Sequence, residues 1–167
     1  VEVAILGMQG KSRDSEAEAA ALKKLAESLG RSFAETGALA TACVMSLVLP
    51  APSGLPDGLP KVHPSEPAGT DKDLLAQLAK QLETNGEMLE MMLKKRADQI
   101  LAINKVEALA LSASPFVKRT GGVRYLGAAA KTLQVLYDAD VLSEEAIIAW
   151  GQQKQAALSL DPDMDAR

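Results

Sequence analysis

Residues 133–150 read LQVLYDADVLSEEAIIAW. The first part of this stretch repeats apolar residues at helical spacing, and Asp138-Ala139-Asp140 then supplies side chains that favour a turn. Ser143 is a residue type that commonly caps a helix, and the two glutamates after it suit the positive end of the helix dipole. The stretch therefore predicts a helix that ends near residue 138 and a second helix that begins after Ser143.

The whole chain has the composition of a helical protein. Of its 167 residues, 47% are apolar, 24% are charged and only 3% are aromatic. Ala and Leu dominate, and both lose little side-chain freedom in a helix. No alternating run of β-branched residues predicts a β-hairpin. We therefore expect one all-α domain over residues 1–167, because a chain of this length suits a single core.

The amino-terminal half is predicted to hold two helices and a long loop. Apolar residues at helical spacing predict a helix that Ser15 caps and that extends past Phe33 to Gly37. The almost wholly apolar run over 38–49 predicts a second helix that is buried on most of its sides. Six of the eight prolines lie in residues 50–69, so this segment is expected to be a loop or an insertion.

Four more helices are expected after the proline-rich segment, and the last of them is the helix that begins after Ser143. Thr70 or Asp71 caps the first of them, and Asn85-Gly86 is expected to end it because both residue types favour turns. The next helix is expected over 87–111 and the one after it over 123–138. Short loops between consecutive helices make neighbours antiparallel, which predicts a stack of helical hairpins.

Several function classes are disfavoured by the composition. A net charge of −4 argues against a DNA-wrapping protein or a polybasic membrane protein, and no apolar run is long enough for a transmembrane helix. The one histidine, His63, lies in the proline-rich segment, and the one cysteine, Cys43, lies in an apolar helix. We therefore expect no metal, no cofactor and no covalent catalysis, and the single cysteine indicates a reducing compartment such as the cytoplasm.

Charge patterning is the remaining functional signal. Residues 108–137 contain no acidic residue, and the chain then carries four of them: Asp138, Asp140, Glu144 and Glu145. One interpretation is a solvated helix face with ordinary capping. The other is an acidic docking surface for a basic partner, placed beside Tyr137 and Trp150. The position of Trp150 suits the core equally well.

The quoted stretch also resembles a known sequence motif. It is similar to the first aromatic-and-acidic box of the W2 domain, which has the form LYDxDVLxEExIxxW. Residues 92–109 resemble a helix pair that precedes this box, and the clear similarity covers about residues 90–153. The W2 domain closes the epsilon subunit of eukaryotic translation initiation factor 2B, initiation factor 5, and some factor 4G and mimic proteins.

The resemblance implies a HEAT-like, right-handed stack of antiparallel helix pairs. It also implies an acidic and aromatic surface that contacts the lysine-rich tail of the beta subunit of initiation factor 2. The gamma subunit of that factor and other initiation factors are further partners that it implies. The residues that match this surface are Tyr137, Asp138, Asp140, Glu144, Glu145 and Trp150.

Within the family, the opening Val1-Glu2-Val3 and the long spacer resemble the epsilon subunit of factor 2B. There the domain promotes release of GDP from factor 2, and Glu2 matches an acidic residue that the exchange needs. The alternatives are a non-catalytic adaptor of the factor 5 type and a generic helical scaffold. The family usually carries a second aromatic-and-acidic box in its last helix. This chain ends before such a box, so we expect that helix to be truncated or lost.

Overall fold

Seven helices make up most of the chain that the computed structural model describes, namely residues 14–49, 70–111 and 123–159. In chain order they are α1 (Ser15–Ser28), α2 (Phe33–Ser46), α3 (Asp71–Met92), α4 (Arg96–Ala110), α5 (Val123–Gly127), α6 (Ala129–Asp138) and α7 (Glu144–Ser159). No strand occurs in these three ranges, so the all-α prediction is confirmed and is consistent with a HEAT-like fold. The expected loop at 50–69 and the chain beyond Ser159 lie outside the described residues.

Helix α2 lies at the centre of the core. Its residues from Thr36 to Ser46 are all buried, and burial continues through Leu49. Helices α1, α3 and α4 all pack against it. Each fully buried Val, Leu or Met side chain contributes about 1.5–3 kcal/mol, so an apolar run of this length must be surrounded. Cys43 is part of this buried surface.

Helices α6 and α7 form a second layer, which packs against α3 and α4. Helix α6 packs on α3, and α7 packs on α4. In the pair α6–α7, the first helix therefore packs on the first helix of the pair α3–α4, and the second packs on the second. Because each pair has a short connection, the turn between α3 and α4 and the turn between α6 and α7 come to the same side of the molecule.

The boundary between the first two helices differs from the prediction. Helix α1 ends at Ser28, and Gly30 follows it with a left-handed backbone, φ +63. Helix α2 begins at Phe33 behind a capping box in which Ser32 and Glu35 bond to each other's backbone N–H groups. The expectation of one helix running past Phe33 was wrong, because a C-terminal glycine and a capping box are stronger local signals than apolar spacing.

Gly37 lies inside α2 and does not end a helix, so that part of the prediction was also wrong. A Cβ atom added at Gly37 would lie 2.9 Å from Cβ of Met92 and 3.1 Å from a methyl carbon of Leu93. The glycine is therefore needed because α2 and the end of α3 approach each other closely. This requirement comes from tertiary packing, and a local reading of the sequence mistakes it for a helix stop.

The same kind of error applies to Asn85-Gly86. Helix α3 continues through both residues to Met92, and α4 begins only at Arg96, so the predicted boundary was wrong. The buried Asn85 side chain donates to the carbonyl oxygen of Gln81 at 2.7 Å, which is a bond within the helix. A Cβ atom at Gly86 would lie 3.3 Å from the carbonyl oxygen of Ala139, so this glycine allows α3 to approach the end of α6.

The helix predicted over 123–138 is broken at Ala128 into α5 and α6. Helix α5 packs on α4, whereas α6 packs on α3. The buried hydroxyl of Tyr125 donates to the carbonyl oxygen of Met45 at 2.8 Å, which anchors α5 to the last turn of α2. Burial also raises the pKa of Tyr125.

The predicted helix caps were mostly correct. The Thr70 hydroxyl accepts from the backbone N–H of Asp73, and the hydrogen bonds that Thr70 returns lower the pKa of Asp73. Ser143 caps α7 as expected, since its hydroxyl accepts from the backbone N–H of Ala146 at 3.3 Å. The first cap was misplaced by one residue, because Asp14 and not Ser15 accepts the free N–H groups of α1.

Gly37→Ala is expected to lower the free energy of unfolding by about 1–3 kcal/mol, because the new methyl group has no room beside Met92. Gly151→Ala is the matched control in an exposed part of α7, where nothing lies within 4 Å of the added atom. That variant should raise the free energy of unfolding by about 0.5–1 kcal/mol through helix propensity. Chemical denaturation measures both, and stabilisation by both substitutions would contradict the close approach of α2 to α3.

Candidate protein-binding surface

The turn after α3 and the turn after α6 lie side by side, and Gln99 joins them. Its side-chain amide donates to the carbonyl oxygen of Leu93 at 3.0 Å. Its Oε1 atom accepts from the backbone N–H of Ser143 at 3.0 Å and from the Ser143 hydroxyl at 2.7 Å. Because Ser143 also caps α7, Gln99 fixes the start of α7 relative to the end of α3.

Exposed carboxylates surround this junction. They line two adjoining depressions of about 380 and 600 Å³, which together we call the acidic cleft. The carboxylates are Glu83, Glu87, Glu90, Asp138, Asp140, Glu144 and Glu145. Glu87 and Asp140 line both depressions, so the cleft is continuous. Among the described residues that line it, Lys94 is the one basic side chain. The cleft therefore has a strongly negative potential.

The structure adds one helix to the predicted acidic surface. Asp138, Asp140 and the two glutamates at the start of α7 were expected there, and they do line the cleft. The glutamates of α3 were not expected: Glu83, Glu87 and Glu90. Their spacing of four and then three residues places them on one face of the helix, which is the sequence signal that could have identified them.

The α3 part of the cleft is also tied to α1. The Ser15 hydroxyl, which does not cap α1, donates to the Glu87 carboxylate at 2.8 Å. This bond holds Glu87 against the neighbouring helix. Glu83 and Glu90 flank Glu87 on the same face of α3 and are both exposed. Glu90 is consequently suited to a charge substitution with little effect on packing.

Asp140 has an unusual backbone conformation. It adopts φ +57, a left-handed value that favours glycine. Its N–H donates to the carbonyl oxygen of Tyr137 at 2.9 Å. The N–H of Val141 donates to the carbonyl oxygen of Leu136 at 3.0 Å. These two bonds form a Schellman motif that ends α6, completed by burial of Val141 and Leu136. A carboxylate therefore stands in the cleft at a position where glycine would cause less strain.

The two predicted aromatic residues occupy different places. Tyr137 is 47% exposed and lines the acidic cleft. Trp150 is half-buried against the core, and its Nε1–H donates to the Asn104 side chain at 3.1 Å. The Lys154 ammonium lies 5.7 Å from the Trp150 ring centroid and pairs with the Glu107 carboxylate. Trp150 therefore lies at the contact of α7 with α4 and does not line the cleft.

The acidic cleft can bind cationic groups. Ionised carboxylates only accept hydrogen bonds, and several in one cleft can hold several ammonium groups at once. In the described ranges, no group of three or more His, Cys, Asp or Glu side chains is arranged to hold a metal ion. Glu2 and His63 lie outside these ranges, so the exchange role expected for Glu2 stays a prediction.

Of the seven helices that the structure describes, none combines the length and the apolar character needed to cross a bilayer.

Comparison with known proteins supports the family resemblance over part of the chain. The family model of the W2 domain, described as eIF4-gamma/eIF5/eIF2-epsilon, matches residues 98–166. The matched range begins in the first turn of α4 and includes the acidic residues around Asp140, but it does not include α3. No curated protein and no solved structure matches the chain. The carboxyl-terminal part of the chain is therefore similar to the W2 domain, without distinction among the proteins that carry one.

Proposed function

We propose that this chain is a protein-interaction domain of translation initiation and that its acidic cleft binds a lysine-rich segment of another initiation factor. The observation that carries the proposal is the convergence of seven exposed carboxylates, from α3, α6, α7 and the turn between α6 and α7, on one continuous cleft. The W2 match over residues 98–166 supports the same class of function.

The electrostatics of the cleft suit a basic and extended partner. Exposed carboxylates lose little hydration before they bind, so each added ion pair contributes modestly, about 0.2–1 kcal/mol. Several such pairs add up to useful affinity, and the summed field also accelerates encounter. Because the Debye length is about 8 Å at physiological salt, the binding should weaken steeply as salt is added.

The more specific proposal concerns the partner and the activity. The lysine-rich tail of the beta subunit of initiation factor 2 has the chemistry that the cleft requires. If the chain is the exchange domain of the factor 2B epsilon subunit, it also promotes GDP release in the cytoplasm, with Glu2 taking part and without covalent catalysis. A factor 5 type adaptor uses the same cleft only to assemble factors. The exposure of every carboxylate in the cleft favours either role over that of a generic scaffold.

A charge reversal on α3 tests whether the cleft binds the tail. Glu90→Lys should weaken binding of a synthetic lysine-rich tail peptide about three- to tenfold at low salt, because an attraction becomes a repulsion. Glu27→Lys is the matched control. Glu27 is an exposed residue of α1 that does not line the cleft, so this variant makes the same charge reversal elsewhere. Fluorescence anisotropy at low and high salt measures both, and equal losses for the two variants would count against the cleft.

Reversal at the start of α7 should have a larger effect. Glu144→Lys combined with Glu145→Lys is expected to weaken tail binding more than tenfold at low salt, since four charge units change in the cleft. Helix-dipole stabilisation of α7 is lost at the same time, about 0.3–1 kcal/mol per residue. Circular dichroism checks that helicity is kept. Unchanged affinity in a folded double variant would remove these two residues from the proposed site.

GDP release distinguishes the two roles in translation initiation. The rate of release from initiation factor 2 carrying labelled GDP would be measured with and without this chain at micromolar concentration. Acceleration establishes the exchange role and makes Glu2→Gln the next variant to assay. Salt-sensitive binding of the tail without acceleration favours the adaptor role, or an exchange activity that requires the expected final helix.

Asp140→Gly should separate stability from binding. Glycine relieves the left-handed backbone strain and is expected to raise the free energy of unfolding by about 0.5–1 kcal/mol. The same change removes a cleft carboxylate, so binding of the tail peptide should weaken about two- to fivefold at low salt. Thermal melts and anisotropy provide the two measurements. A loss of stability, or unchanged binding, would contradict the role given to Asp140.

A further inference from the structure

A second surface feature adjoins the acidic cleft. Helices α6 and α7 leave between them an open groove of about 580 Å³, which we call the α6–α7 groove. Its lining residues are Ala130, Leu133, Gln134, Tyr137, Glu144, Ile147 and Ile148. The α6 residues of this set lie three, four and seven positions after Ala130, and the α7 residues lie three and four positions after Glu144. Each helix therefore contributes a single face.

The groove exposes apolar surface that the described part of the chain does not cover. Ile148 is 51% exposed and Tyr137 is 47% exposed, while Leu133 and Ile147 pack partly against the core. A single exposed apolar residue is ordinary on a protein surface. Here the two exposed side chains come from neighbouring helices and line one depression, which is typical of a site for an apolar partner group.

The groove and the acidic cleft are continuous. Tyr137 and Glu144 line both of them. A ligand that occupies both therefore meets carboxylates at one end and aliphatic side chains at the other. A tract of lysines alone complements the acidic end and leaves the apolar end exposed. Charge complementarity and apolar burial are satisfied together only by a segment that has both kinds of side chain.

We infer that the partner segment is basic and amphipathic, with its lysines in the acidic cleft and one or more aliphatic side chains in the α6–α7 groove. This inference rests on the proposed function and specifies its ligand more narrowly. Recognition then follows the mode in which apolar anchors of a peptide enter a groove between helices. Each buried aliphatic anchor should strengthen binding about tenfold or more.

Two synthetic peptides of equal length and equal charge test the inference. One contains lysine and serine only, and the other has leucine in place of serine at three positions spaced for one helix face. The leucine peptide should bind the parent chain at least about tenfold more tightly. Its advantage should persist at high salt, because burial of apolar surface is not screened as charge pairs are.

Variants of α7 assign that advantage to the groove. Ile148→Ser should abolish the advantage of the leucine peptide and leave the binding of the lysine–serine peptide unchanged. Leu158→Ser is the matched control, because Leu158 is also exposed, lies on the same helix and does not line the groove. That variant should bind both peptides like the parent chain.

Several outcomes would overturn the inference. Equal binding of the two peptides to the parent chain would do so while leaving the acidic cleft intact as the binding site. Failure of both peptides to bind would refute the proposed function itself. If Ile148→Ser melts well below Leu158→Ser, the chain itself covers the groove. If Ile148→Ser turns a dimer into a monomer in sedimentation, a second copy of the chain covers it.

Discussion

The burial of α2 is the constraint on which the rest of the structure depends. This helix has no polar face, and its hydroxyl groups are satisfied within its own backbone, as in the bonds from Thr41 to Gly37 and from Ser46 to Cys43. Such a helix is stable only when neighbours surround it. Helices α1, α3 and α4 do so, and the close approach of α3 at Gly37 requires a residue without a side chain.

The candidate binding surface is a consequence of that packing. Helices α3 and α4 both lie against α2, and α6 and α7 stack on them, so the two connecting turns meet. The contact is specified by Gln99, which bonds to Leu93 on one side and to Ser143 on the other. Like charges gathered at this point repel one another, but their exposure to water keeps the cost small. The acidic cleft is therefore compatible with a stable fold.

Sequence reasoning succeeded where the decisive interaction is local. The caps at Thr70 and Ser143 were predicted because a cap joins residues three positions apart. It failed at Gly37 and at Asn85-Gly86, where the sequence predicts helix ends. In both places a glycine makes room for a distant segment, Met92 in one case and Ala139 in the other. No local pattern distinguishes such a glycine from one that ends a helix.

The sequence by itself determined that the chain is helical, that the start of α7 is acidic and capped, and that its later part resembles a W2 domain. These properties depend on composition and on residues within a few positions of each other. Only the tertiary structure decided that the glutamates of α3 join Asp140 in one cleft and that Trp150 packs between α4 and α7. Those relations connect residues about fifty positions apart, and they exist only because the stacking of helices on α2 brings their surfaces together.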